Sequence, residues 1–241
     1  FTVTDASGNP VGTPQTQVDE FLVNGGSDSS TVSGNQWDPT IASLKNGGFV
    51  VTWEDQSGHD GSSSGIFGQR FNADGGRDGE EFQINTHTSS DQSNPAVATL
   101  EDGGFVVTWR SDHQDEVNGG YGIYGQRYDK SGATFGDEFQ VNTYTSGHQG
   151  DSSVTALADG GFMVTWESQS QDGSGYGIYG QRFAIDGSTE QFFTSAAAAN
   201  NAGGLADAKV DVVELHAASS SMRSQERRGG KACRSRWSSL P

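Results

Sequence analysis

One octapeptide is written three times. NGGFVVTW stands at 46–53, DGGFVVTW at 102–109 and DGGFMVTW at 159–166, so Trp53, Trp109 and Trp166 recur 56 and 57 residues apart. The pairs Gln69-Arg70, Gln126-Arg127 and Gln181-Arg182 keep nearly the same step, 57 and 55. A period of this length means one structural unit copied along the chain. Three units follow, at 1–70, 71–127 and 128–182, and a fourth opens with FAIDGSTEQFF (183–193) before the pattern breaks down.

Each unit predicts four short strands. The first is EFLVN (20–24), EFQIN (81–85) or EFQVN (138–142), and the second is PTIASL (39–44), PAVATL (95–100) or SSVTALA (152–158). An Asn-Gly or Asp-Gly pair then gives the positive φ of a tight hairpin turn. The third strand is apolar on both sides, as expected of one buried between sheets. The fourth is GIFGQRF (65–71), GIYGQRY (122–128) or GIYGQRF (177–183). Its period of two puts Phe67, Gln69 and Phe71 on one face and Ile66, Gly68 and Arg70 on the other, and the Gly is expected to make room for the Trp of the adjacent strand.

Four antiparallel strands per repeat, punctuated by Gly and aromatics, predict an all-β fold, a small β-propeller of three four-stranded repeats. The ring is then three-bladed, part of a larger ring, or completed by a homodimer in which two chains share six blades. FAIDGSTEQFF is expected beside the first blade as a closing strand. A β-trefoil, also threefold with four strands per unit, is the rival fold. On this reading the propeller occupies 1–195, with 183–195 as its closing segment.

Residues 196–221 form an extension of unassigned role. Residues 222–241 read as a vector-encoded tail, since they share nothing with the repeats in charge or glycine phase. The opening FTVTDASG, without an initiator Met or signal peptide, reads as a piece of something longer.

Charge narrows the partners. The chain carries 31 acids and 14 bases, and six of the bases with one acid lie beyond Ser221, which leaves 30 acids against 8 bases in the body. Such a surface repels nucleic acid and attracts cations, and no apolar run suffices for membrane insertion. The single cysteine, Cys233, stands in the basic tail, so the repeats hold no disulfide, catalytic thiol or zinc-thiolate site.

The DGGFVVTW…GIYGQRF unit resembles repeats of very large secreted bacterial proteins, the RTX-like and cadherin-like calcium-associated surface or exported proteins. The resemblance covers about residues 1–195. It implies an extracellular, calcium-linked adhesion or matrix module. No glycine-rich RTX nonapeptide is present, so calcium sites of that kind are not carried over.

Three constellations could carry chemistry. The loops between third and fourth strands align Asp60, Asp115 and Asp172 among Gly, Gln and Asn, the oxygen donors Ca²⁺ prefers. Trp37, Tyr121 and Tyr176 at strand ends offer ring faces on which a polysaccharide or other glycan could stack. Glu54, Arg110 and Glu167 follow the three Trp residues directly, so one scaffold position breaks symmetry. If they meet, two carboxylates beside a guanidinium fit glycoside hydrolysis; otherwise each Glu is a partner for Arg70 or Arg182. The expected function is an extracellular, calcium-associated carbohydrate-binding or adhesion module, with a glycoside hydrolase as the alternative.

Overall fold

The computed structural model describes residues 20–25, 33–115 and 120–190, all within a compact unit, Phe1–Phe192. The extension at 196–221 and the tail at 222–241 lie outside the described residues. The strands form three four-stranded antiparallel sheets. The first is β1 (Gln36–Ser43), β2 (Phe49–Asp55), β3 (Gly65–Phe71) and β4 (Phe82–Gln83), in that order. The second repeats it with β5 (Gln92–Thr99), β6 (Phe105–Asp112), β7 (Tyr121–Tyr128) and β8 (Phe139–Gln140). The third has β9 (Gln149–Ala156), β10 (Phe162–Gln169), β11 (Tyr176–Phe183) and β12 (Thr189–Glu190).

Separate four-stranded meanders, stacked face to face with β1, β5 and β9 innermost, make a small β-propeller and not a β-trefoil. Two details differ from expectation. β4 and β8 come from EFQIN and EFQVN, which open the next sequence unit, so each of these sheets takes its outermost strand from the following repeat. In the described part of FAIDGSTEQFF, residues 183–190, Thr189 and Glu190 pair with Phe183 and Arg182 in the third sheet, and the remainder of the expected closing segment lies outside the described residues.

The repeated octapeptide is now accounted for letter by letter. The hairpin closes with Gly47 N–H on Leu44 O and Leu44 N–H on Gly48 O. Only the first Gly of each pair has positive φ, +88°, +89° and +92° at Gly47, Gly103 and Gly160, so the turn is not the one with two left-handed residues. The second Gly is needed for space, because a Cβ on Gly48, Gly104 or Gly161 would overlap the carbonyl oxygen of Phe71, Tyr128 or Phe183 on the partner strand. Asn46, Asp102 and Asp159 accept the N–H of that second Gly, at 3.0, 2.9 and 3.2 Å.

The strand that follows is buried on both faces in β2 and β6 and on one face in β10, and its alternation joins sheet to sheet. Val50 and Ile66 of the first sheet pack with Phe105, Trp109 and Tyr128 of the second. Val106 and Ile123 of the second pack with Phe162, Trp166 and Phe183 of the third. Each such side chain, fully buried, contributes about 1.5–3 kcal/mol. The Gly of the fourth strand faces the outermost strand rather than the Trp: Gly68 lies under Phe82 and Gly125 under Phe139.

Among the described residues, extensive strand packing joins the first sheet to the second and the second to the third, and not the third to the first. No described helix is long and apolar enough to cross a membrane.

Candidate functional site

Each innermost strand is bulged at one place. Pairing slips between Trp37 and Thr40, between Ser93 and Ala96, and between Gly150 and Ser153. At the slips Asp38, Asn94 and Asp151 hold φ of +48°, +54° and +50°, a conformation Asn and Asp accept at lower cost than most residues. The three bulges, one per sheet, line a single hollow of about 380 Å³. They mark the axis of the propeller. The sequence signal was there in Asp38-Pro39 and Asn94-Pro95, an Asx before a Pro at the start of the second strand, but Asp151-Ser152 obscured the repeat.

Beside this axis a larger cavity of about 560 Å³ opens between the first and second sheets. Trp37, Glu54 and Gln56 line it from the first sheet, and Asp91, Asn94 and Arg110 from the second. Its existence follows from one break in the repeat. The position of Tyr121 and Tyr176 is occupied in the first sheet by Ser64, which also lines the cavity. Between the second and third sheets Tyr121 fills the corresponding space, with its ring 4.4 Å from the Arg110 guanidinium and 4.7 Å from the His148 ring. The small Ser64 side chain leaves that space empty.

The cavity wall is polar and internally braced. Glu54 is buried, and one carboxylate oxygen accepts from Gln56 Nε2 at 2.9 Å. Gln56 Oε1 accepts from the Trp37 indole N–H at 3.1 Å, which fixes a ring that is 51% exposed. Across the gap Arg110 Nε donates to Ser93 Oγ at 3.0 Å, and Ser64 Oγ donates to Asp91 at 3.3 Å. An apolar ring face beside fixed carboxylate, amide and guanidinium groups is the arrangement that stacks on a sugar ring and orients its hydroxyls.

The expected site residues are only partly brought together. Trp37, Glu54 and Arg110 share the cavity, whereas Glu167 sits half-buried in β10 of the third sheet and does not line it. Tyr121 is half-buried between Arg110 and His148, and Tyr176 stands 57% exposed on the third sheet. The alternative pairing of Glu with Arg is not made: Arg70 pairs with Asp78 at 2.8 Å, and Arg182 with Asp159 and Glu190. Asp91, Gln56 and Ser64 were missed, because their meaning appears only where two repeats differ at one interface.

Asp60, Asp115 and Asp172 stay in three separate loops, one per sheet, each against the Gly at or next to the start of the following strand. Asp60 accepts from Ser62 N at 2.9 Å and Asp172 from Ser174 N at 3.2 Å, so these carboxylates brace their own turns. The Asp115 and Glu138 carboxylates add to burial in pushing the Tyr124 hydroxyl pKa up, which keeps it a neutral group. Among the described residues no three His, Cys, Asp or Glu form a metal-holding group.

No protein-family model matches the chain, and no curated protein is detectably similar to it. Solved structures align with it in part, at low identity. A Hadza microbial sialidase aligns at 12% identity and TM-score 0.49 over 64% of this chain and 36% of its own. A Bacteroides thetaiotaomicron endo-arabinase aligns at 15% and 0.42 over 64% and 62%. A Dyadobacter fermentans protein of unknown function aligns at 14% and 0.46 over 65% and 53%. The chain thus spans from about a third to less than two thirds of the length of these structures.

Proposed function

We propose that this chain is a carbohydrate-active propeller and that the cavity between its first and second sheets takes a polysaccharide segment and hydrolyses a glycosidic bond. The observation that carries the reading is the shared lining of one cavity by an exposed Trp37, a buried Glu54, Asp91 and Arg110. Trp37 stacks on the sugar. Glu54, on the less solvated wall, is placed to protonate the leaving oxygen, and Asp91, on the opposite sheet, to serve as base or nucleophile. Arg110 supplies positive charge to the same cavity.

The test is hydrolysis of a panel of soluble polysaccharides and aryl glycosides by the full chain. Glu54→Gln should lower turnover by about 10²–10⁴-fold, the usual worth of a general acid, with the fold retained. Glu167→Gln should stay within about threefold of the unchanged protein. Equal loss in both variants would move the site away from this cavity.

A binding module without catalysis is the second reading, favoured by the exposed Trp37 ring. It predicts no turnover but retention on a polysaccharide that Trp37→Ala abolishes. Calcium enters at the Asp60 loop, where the second carboxylate oxygen is buried without a hydrogen-bond partner. Retention that disappears with a chelator and in Asp60→Asn would support it.

A further inference from the structure

The two ends of the three-sheet stack expose the residues that elsewhere join sheet to sheet. Ile66 and Ile123 are fully buried in the two interfaces, but Ile178, at the same position of the third sheet, is 73% exposed. Val97 and Val154 pack against the sheet before them, but their first-sheet equivalent, Ile41, is 62% exposed.

The outermost strand shows the same mismatch. A Cβ on Gly68 would meet the Phe82 ring at 3.1 Å, and one on Gly125 the Phe139 ring at 2.8 Å. Gly180 is their equivalent, yet it is exposed and no described aromatic covers it. β12 pairs only with the far end of β11, at Arg182 and Phe183. Among the described residues, Tyr176–Gln181 therefore has no outer strand. The sequence after Glu190, QFFTSAAAAN, does not restore the Glu-Phe-x-x-Asn pattern of β4 and β8.

That pattern survives at the other end of the chain. EFLVN at 20–24 repeats EFQIN and EFQVN, and it lies on the first sheet as the outermost strand of a preceding sheet would. Phe21 packs on Phe71 at 5.5 Å, as Phe82 packs on Tyr128 at 5.4 Å and Phe139 on Phe183 at 5.3 Å. Gly25 N–H reaches Glu81 at 2.8 Å, as Thr86 N–H reaches Glu138 at 2.6 Å. No described strand pairs with it, and Phe21 and Leu22 are 55% and 64% exposed. Among the described residues, one end of the stack holds a segment paired to no strand, and the other a sheet whose outer strand reaches only Arg182 and Phe183.

We propose that these ends are completed by a second copy of this chain. Residues 20–24 of one copy add antiparallel to β11 of the other, with Phe21 over Gly180 and Leu22 opposite Tyr179, the register of Phe82 with Gly68 and Gln83 with Phe67. Ile178 then enters the interface that Ile66 and Ile123 occupy within the chain. Made twice about a twofold axis, the contact closes six sheets and removes both exposed edges. Residues 20–24 are not at their own β11, because Phe21 is held at Phe71 and, among the described residues, no extensive packing joins the first and third sheets.

Light scattering of the full chain across a range of concentrations should give twice the chain mass, and Phe21→Glu should weaken that dimer at least tenfold. In a Cys233→Ser background, mixing a Leu22→Cys variant with a Tyr179→Cys variant should yield a disulfide between chains. A monomer at every concentration, a dimer unchanged by Phe21→Glu, or a Leu22→Cys, Tyr179→Cys double variant that crosslinks only within one chain would overturn the proposal.

Discussion

Asn85 and Asn142, the last residues of EFQIN and EFQVN, hold neighbouring sheets together through polar contacts. Asn142 Oδ1 accepts from Ile123 N at 2.7 Å in the second sheet, while its Nδ2 donates to Gln149 at 3.3 Å in the third. Asn85 does the same for Ile66 at 2.7 Å and Gln92 at 3.0 Å, one interface earlier. All four of these side-chain partners, Asn85, Gln92, Asn142 and Gln149, are buried. Removing one side chain leaves a backbone N–H and an amide oxygen unsatisfied away from water, at about 1–3 kcal/mol for each group. Asn142→Ala should therefore lower the urea-unfolding free energy by about 2–4 kcal/mol, and a loss under about 0.5 would mean that water replaces the amide. Sequence showed these Asn residues as repeated letters but not as joints, because their partners lie 7 and 19 residues away in two different sheets.

At the scale of the strand and its turn, the octapeptide was legible because it encodes local geometry. The alternation of GIFGQRF correctly separated Ile66 from Phe67 and Phe71, which enter different clusters. What covers Gly68 was not legible, since Phe82 arrives from the next unit and nothing in a single period says which unit donates the strand. The two turn glycines also do different work. Gly103→Ala meets only the left-handed φ, a cost of about 1–2 kcal/mol. Gly104→Ala drives a methyl into the Tyr128 carbonyl, so the partner strand must move, at about 1–3 kcal/mol or more. Chemical denaturation of the two variants should show the Gly104→Ala protein as the less stable, and the reverse order would put the constraint in the dihedral rather than in the space.

For the molecule as a whole, the joints between sheets combine apolar faces with arginine clasps. Arg70 donates to Ser131 O and Arg127 to Ile185 O at 2.6 Å, each reaching from one sheet into a hairpin of the next. Those hairpins are braced by Asp129 and Asp186, whose pKa values are held below the usual carboxylate range chiefly by the Ser131 and Ser188 hydroxyls. A depressed folded pKa gives a contribution that is complete above about pH 4 and lost as pH falls through the lower value. The acid limb of a melting-temperature profile should therefore be shallower in an Asp129→Asn, Asp186→Asn variant, and an unchanged limb would assign acid sensitivity elsewhere.

At this scale the repeat predicted the architecture, whereas the cavity arose from Ser64 replacing a Tyr at one of two interfaces, a departure visible in sequence but without meaning until the sheets are stacked. Glu167 shows the converse, a residue aligned with Glu54 that faces a different neighbourhood.

Every described strand ladder joins segments adjacent in sequence, and the first and second sheets are finished only when the first strand of the following repeat is in place. Contacts of such short separation close quickly, so folding is expected to advance from one sheet to the next as the chain lengthens, each completed sheet presenting the template for its successor. In the single chain, opening should follow the same path in reverse, beginning at the third sheet, where Ile178 and Gly180 lie open to solvent and amide hydrogens exchange first; in the dimer, the strand added over β11 should slow exchange there.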